Sequence, residues 1–418
     1  MSKSGRNILF LSHRIPYPPD KGEKIRAWHM LERLARSNEI LLGTFVDDPA
    51  DWKHLPFLRD LCASVACFDR NPARQRVKAL LRMRPGRALS LDYFRDARLT
   101  AWVNVVLKQQ AVSGIFVFSS PMAQYVMDAC CPIRVLDMVD VDSDKWAEYS
   151  IHARWPMRNV WSREARTLLA FERKATKRFD RTLFVSEHEA QRFRALAPES
   201  TARTRAIENG VDYRFFSPNL SYADPYPAEC SLPIVFTGAM DYWPNIDGVC
   251  WFAREVLPSI RRRHPEAQFY IVGSNPAREV RALQSLAGVH VTGRVPDTRP
   301  WIAHAKLAVA PLRVARGIQN KVLEALAMAR PVVASPQAYA GLRLIPGLDL
   351  LIAETAEETI QRCCEILNGQ HALLGKSARR AIEQTYDWDV TLRELDALFD
   401  CAAEASRSTR SLTFGAAE

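Results

Sequence analysis

Short, wholly apolar runs alternate with amphipathic helical stretches along this chain, and midway the alternation starts over. The first half carries strand-like runs at 7–12, 39–46, 64–68, 114–120, 133–140 and 181–186. Between the first two, residues 22–37 place Ile25, Trp28, Leu31, Leu34 and Ala35 on one helical face. Strands without a polar face must be covered on both sides, which dictates a parallel sheet wrapped by helices. After a Pro- and Tyr-rich stretch at 221–233, new runs follow at 233–238, 267–273, 288–293, 306–312, 330–335 and 349–353. A helix predicted over 245–263 turns Val249, Phe252, Val256, Leu257 and Ile260 inward. At 418 residues the chain exceeds one comfortable core. The expectation is therefore an α/β protein of two doubly wound domains, 1–212 and 213–385. A terminal helix (386–401) and a small, polar, disordered tail (402–418) complete it. Ligands of such sheets bind beyond the carboxyl ends of the strands, so the site is expected in the cleft between the domains.

Composition narrows the setting. The longest apolar run near the start, Ile8 to Leu11, is too short for a signal peptide or a membrane span, so a cytoplasmic protein is expected. The nine cysteines lack the spacing of a disulfide framework or a zinc site. A net charge of +10 is concentrated at 70–87 and 154–181, which suits an anionic partner. Within 72–89, Val77, Leu80, Leu81 and Met83 interleave with arginines, as in a helix lying on an anionic membrane or, equally, on a solvated face. The basic stretches lack interleaved aromatics, so nucleic acid is not an expected partner. No G-x-G-x-x-G follows the first strand, and neither a P-loop nor a G-x-S-x-G elbow occurs.

Residues 315–335, ARGIQNKVLEALAMARPVVAS, remain as the chemistry-bearing stretch. Gly317 frees the backbone ahead of a helix whose first amides, Ile318, Gln319, Asn320 and Lys321, have no partners inside the helix. Such an end favours anions, and Lys321 adds a full charge to it. Glu324 lies one turn on, on the same face. A diphosphate at the helix start, with ribose hydroxyls beyond it, uses all three features. The alternative is an intrahelical Lys–Glu pair, but Val322, Leu323, Ala325, Leu326 and Ala327 leave little solvent face for one.

The pattern G-x-x-x-K-x-x-E-A-x-A-x-x-x-P-V-V-A-S resembles the donor-site signature of retaining glycosyltransferases of the GT-B fold, family 4 type. Further pieces match in order: VSEHE (185–189), IENGVD (207–212), 236–273, VTGRVPD (291–297) and YDWDVTLREL (386–395). The last resembles the terminal helix that crosses back to the first domain. Residues 11–29, 118–125 and 136–146 resemble sugar transferases associated with exosortase-linked exopolysaccharide clusters in bacteria. The resemblance implies two Rossmann-like domains and a nucleotide-diphosphate sugar as donor, with no metal or other cofactor required. The basic first domain adds the expectation of a lipid-linked or glycan acceptor and of a cytoplasmic enzyme at the inner face of the membrane. Gly238, Arg294 and Gly22 join the donor contacts by the same analogy. The family's second glutamate, eight residues before Glu324, is replaced here by Arg316, which binds phosphate but cannot accept from hydroxyls. The amides of Ile318 and Gln319 are the substitutes for that sugar contact.

Other residues keep two readings. Gly22 either admits phosphates to the first helix or makes an ordinary turn. His13 ends the first strand, as a site residue or a structural one. Asp140 and Asp142 either meet an acceptor hydroxyl or cap a helix starting at Ser143. Arg294 either reaches a phosphate or caps a strand. Lys321, Arg316 and the helix end stabilise a departing diphosphate, and no strong base is evident. Rival functions are a nucleotide-sugar epimerase on the same double fold and a binding subunit without catalysis.

Overall fold

The computed structural model describes residues 5–19, 22–315 and 317–400. Arg316 and the tail expected at 402–418 lie outside the described residues. The chain divides into two compact units, Met1–Ile207 with Leu392–Glu418, and Glu208–Thr391.

The first unit holds β1 (Asn7–Ser12), β2 (Glu39–Val46), β3 (Ser64–Asp69), β4 (Val112–Phe118), β5 (Arg134–Val139), β6 (Arg181–Phe184) and β7 (Thr204–Ala206). Among the described residues they form one sheet in the order β3-β2-β1-β4-β5-β6-β7, every pair parallel. β1 is central, with Leu9 opposite Leu41 on one side and Ile115 on the other. Ile8, Leu9, Phe10 and Leu11 are fully buried, each contributing roughly 1.5–3 kcal/mol. That is why the run carries no alternation.

The second unit holds β8 (Leu232–Thr237), β9 (Ala267–Val272), β10 (Val289–Gly293), β11 (Leu307–Ala310), β12 (Val332–Ala334) and β13 (Leu351–Ile352). Their order is β10-β9-β8-β11-β12-β13, again parallel throughout. In both sheets the chain runs outward from its first strand, then returns to that strand's other side. The switch points, β1 beside β4 and β8 beside β11, are where a doubly wound sheet opens a crevice.

Three details differ from the sequence reading. β7 is a three-residue strand with no apolar run to announce it. The helix predicted over 245–263 is Trp243–Trp251 and Leu257–Arg263 joined by a π turn at Phe252–Val256. Pro258, which lacks an N–H, follows that wide turn. The final helical stretch also splits: Trp388–Thr391 belongs to the second unit, whereas 393–400 belongs to the first. There Asp396 accepts from Arg33 at 2.8 Å, and Phe399 fills the space that a side chain at Gly114 would occupy. No helix of the described residues is long and apolar enough to cross a membrane.

Candidate functional site

The helix Asn320–Ala327 follows β11 and precedes β12, so its start opens at the second switch point. Val322, Leu323, Ala325, Leu326 and Ala327 are buried and hold it against the sheet. The helix begins two residues later than the sequence implied. Ile318 is buried in the core instead of lying in the first turn, and Gln319 takes the N-cap position. Gly317 turns the chain with φ of 61°, a left-handed conformation suited to glycine. Among the described residues no side chain caps this helix, so no acid neutralises its positive end.

Lys321 does not pair with Glu324. Its Nζ donates to Asn245 Oδ1 at 3.0 Å and to Gln319 Oε1 at 3.3 Å, and sits 5.2 Å from the Phe236 ring centroid. Asn245 is buried and oriented from its other end, where Nδ2 donates to Ala239 O at 2.9 Å. A Cβ on Gly238 would meet that Nδ2 at 2.8 Å, and a Cβ on Gly273 would lie 1.6 Å from Gly238 O. Gly273 is therefore required by the closeness of the β8 and β9 turns, and Gly238 by the Asn245 side chain packed on it. Asn245 escaped the sequence reading because an asparagine near a helix start resembles an ordinary cap.

Burial lowers Lys321 to about 8, against the opposing pull of Glu324. Burial likewise raises Glu324 to about 7, with Lys321 opposing. Among the described residues Glu324 has no hydrogen-bond or ion-pair partner. The pair is an ammonium held by neutral amides beside an unpartnered carboxyl, at an uncapped helix start. Such an arrangement suits an anion next to hydroxyl donors.

Two matched motif pieces meet beneath this helix. Asn209 Nδ2 donates to Asn320 Oδ1 at 3.3 Å. Val211 N donates to Tyr386 O at 2.7 Å, and a Cβ on Gly210 would strike the backbone of Trp388 at 2.8 Å. Thus IENGVD is clamped onto YDW and steadies Asn320. Arg294 is exposed just past β10, the edge strand. Three strand spacings, about 14 Å, separate β10 from β11, so the sheet itself does not bring Arg294 to Lys321.

In the first unit, His13 follows β1 and stacks on Phe118 at the end of β4, with centroids 5.8 Å apart. Its edge meets Phe94 at 5.6 Å, and its Nε2 lies 3.7 Å from Glu23. Nδ1 is buried without a hydrogen-bond partner. Burial would raise the Glu23 carboxyl, but His13 and Arg14 hold it well below the usual range. Gly22 is exposed and begins the helix Gly22–Ala35.

Asp140 follows β5 and is not a helix cap. The helix Asp142–His152 has Val141 at its N-cap position and no side-chain cap of its own. Its start is closed from outside: Glu189 accepts from Val141 N at 2.9 Å, and Glu172 accepts from the Ser143 hydroxyl at 2.5 Å. Sequence reasoning missed both acids, which lie on other helices. Asp140 Oδ1 is buried without a partner. Burial, then Glu189 and Asp142, raise Asp140 to about 7 against Lys145 and Arg26. Val139 just before it has φ of 67°, a costly conformation for a β-branched residue that turns the chain sharply after the strand. β4 separates β1 from β5, so His13 and Asp140 end strands about 10 Å apart.

Residues 232–369 match the family model described as glycosyl transferases group 1. No curated protein matches the chain in sequence. Among solved structures, Anabaena HepE in complex with UDP and glucose is similar at 15% identity and TM-score 0.65, covering 95% of this chain and 100% of its own. Sucrose-phosphate synthase from Thermosynechococcus elongatus is similar at 17% identity and TM-score 0.66, covering 98% and 100%. WaaG, a glycosyltransferase involved in lipopolysaccharide biosynthesis, is similar at 15% identity and TM-score 0.60, covering 94% and 99%. The chain has the two-domain, Rossmann-like GT-B fold, and its second unit carries the stretch that matches the glycosyl transferases group 1 family.

Proposed function

We propose that this protein is a glycosyltransferase that moves a hexose-type sugar from a nucleotide-diphosphate sugar to an acceptor hydroxyl with retention. The observation that carries the reading is the open start of the Asn320–Ala327 helix, where Lys321 and an unpartnered Glu324 sit together. Binding of UDP by the similar HepE supports it. In this reading the amides of Gln319 and Asn320, Lys321 and Arg316 hold the diphosphate, and Glu324 accepts from ribose hydroxyls. Gly317 and Gly238 keep the backbone close to the ligand, and Arg294 is assigned to a phosphate. The bond from the anomeric carbon to the phosphate oxygen breaks. The acceptor oxygen bonds to the same face, and its proton passes to the departing phosphate. Stabilisation of the leaving diphosphate, not a strong base, then lowers the barrier.

His13 and Asp140 are assigned to the acceptor side, and Gly22 to the donor contacts, where it lets phosphates approach the first helix. Asp140 near 7 is able to take up a proton transiently, since it is divided between its two forms at neutral pH. A lipid-linked or glycan acceptor in bacterial exopolysaccharide or other surface-glycan synthesis, of the family 4 and exosortase-associated type, is the finer assignment. Domain limits of 1–212 and 213–385, no metal requirement and a place at the inner face of the membrane belong to the same proposal.

A thermal-shift panel of nucleoside diphosphates and their sugars tests it. Stabilisation by at least one is expected, and a chain that responds to none contradicts it. Turnover of labelled donor without acceptor would indicate an epimerase. Donor binding with no turnover toward any acceptor would indicate a binding subunit, the reading that Arg316 in place of glutamate favours.

A further inference from the structure

β5 ends in a turn that its own residues disfavour. Val139 has φ of 67°, where a β-branched side chain crowds the backbone and stays only if its surroundings enforce it. The pairing of β5 with β6 shifts register here, between Asp137 and Val139. Asp140 is the next residue, so the direction of this turn decides where its carboxyl lies. The charged groups that face it are Glu189 from the helix Glu187–Leu196, Asp142 and Lys145 from Asp142–His152, and Arg26 from Gly22–Ala35.

The turn is enforced from inside the core. Asp137 Oδ1 accepts from Val139 N at 3.0 Å, and Asp137 Oδ2 accepts from Arg26 Nε at 2.9 Å. Arg26 Nη1 donates to Ile207 O at 2.7 Å. Both side chains are wholly buried. Burial raises the Asp137 carboxyl, and Arg26 and the Val139 amide oppose that. A buried pair of this kind adds little stability beyond what apolar residues of similar volume supply. The hydrogen bond to Val139 N is the part that apolar residues cannot replace.

We infer that Arg26 and Asp137 are positioning residues, whose buried pair holds Val139 in its left-handed turn and so aims Asp140 beyond the end of β5. Its bearing on catalysis rests on the acceptor-side reading of Asp140, whereas the position itself is measured without any substrate.

The test is a carbon-13 NMR titration of the full chain labelled at its aspartate carboxyls, with the Asp140 signal identified by its loss in D140N. The parent midpoint is expected near 7. The variant R26M/D137L replaces the pair with apolar residues and should release Asp140 from burial, lowering its midpoint by at least about one unit. Loss of the Arg26 charge alone would raise the midpoint, so a fall reports displacement. Adding V139G should bring the midpoint back to the parent value or above, because glycine takes the left-handed turn unaided. If R26M/D137L does not melt cooperatively, the triple variant must fold and show that midpoint. An unchanged or raised midpoint in R26M/D137L overturns the inference, and so does a triple variant no better than the double. Turnover of the nucleotide sugar selected by the thermal-shift panel should fall about a hundredfold in R26M/D137L, with donor affinity kept. If D140N turns over like the parent while the midpoints shift as expected, the acceptor-side reading fails and the positioning stands.

Discussion

Two helices start just past the carboxyl end of a strand in this molecule, and they are finished in opposite ways. At Asp142–His152 the protein's own carboxylates close the start, Glu189 on Val141 N and Glu172 on Ser143. At Asn320–Ala327 no side chain of the described residues caps the start, and a lysine stands there instead. Both ends carry the same backbone dipole. The first is neutralised internally and serves the fold, whereas the second is the end proposed to take the diphosphate. A helix start in a doubly wound sheet is therefore an anion site only where no acid from a neighbouring element occupies it.

The largest effect that would break this contrast is at Lys321. Removing its charge with Lys321→Ala should weaken nucleoside diphosphate binding about a hundredfold, the scale of a charge-assisted hydrogen bond. Calorimetry measures it, and an unchanged affinity would make the two helix ends equivalent.

The pH dependence sharpens the contrast further. Lys321 sits at about 8 because burial lowers it, and a bound diphosphate would raise it. Affinity should be full below pH 8 and fall about tenfold per unit above it. Glu324, raised by burial to about 7, is ionised only above that pH, so affinity should also fall as pH drops below 7. Lys321→Arg, whose guanidinium does not titrate in this range, should abolish the upper limb alone. A flat profile between pH 6 and 9 would remove both groups from the site.

Glu189→Ala tests the closed helix. It leaves the buried Val141 N–H without its acceptor and should cost about 1–3 kcal/mol of stability, with donor affinity unchanged. A denaturant melt and a binding isotherm read the two separately. The smallest effect is expected from Asn245→Ala, which frees Lys321 to swing toward Glu324. About fivefold weaker diphosphate binding, one neutral hydrogen bond's worth, should follow.

The fold was legible because strands buried on both faces cannot hide: β1 and β8 are continuous apolar runs. β7 was not, since Thr204–Ala206 pairs only through its backbone and holds no hydrophobic signal. In the site, Lys321 and Glu324 stood out as charges in an apolar helix. Their partners did not. Asn245 is 76 residues from Lys321, and only the parallel pairing of β8 with β11 brings the two together. Glu172 and Glu189 reach the Asp142 helix from 29 and 48 residues away, a separation that no local pattern encodes. The start of the Asn320 helix was misplaced by two residues because Ile318 looks helical but is drawn into the core.

The central claim is that the open start of the Asn320–Ala327 helix is a diphosphate site. Titration calorimetry of the full chain at pH 7.5, comparing a nucleoside diphosphate with the same nucleoside, tests it directly when repeated on Lys321→Ala. The account predicts binding of the diphosphate, far weaker binding of the nucleoside, and loss of that difference in the variant. Equal affinity for both ligands, or a variant that keeps the preference for diphosphate, would contradict it.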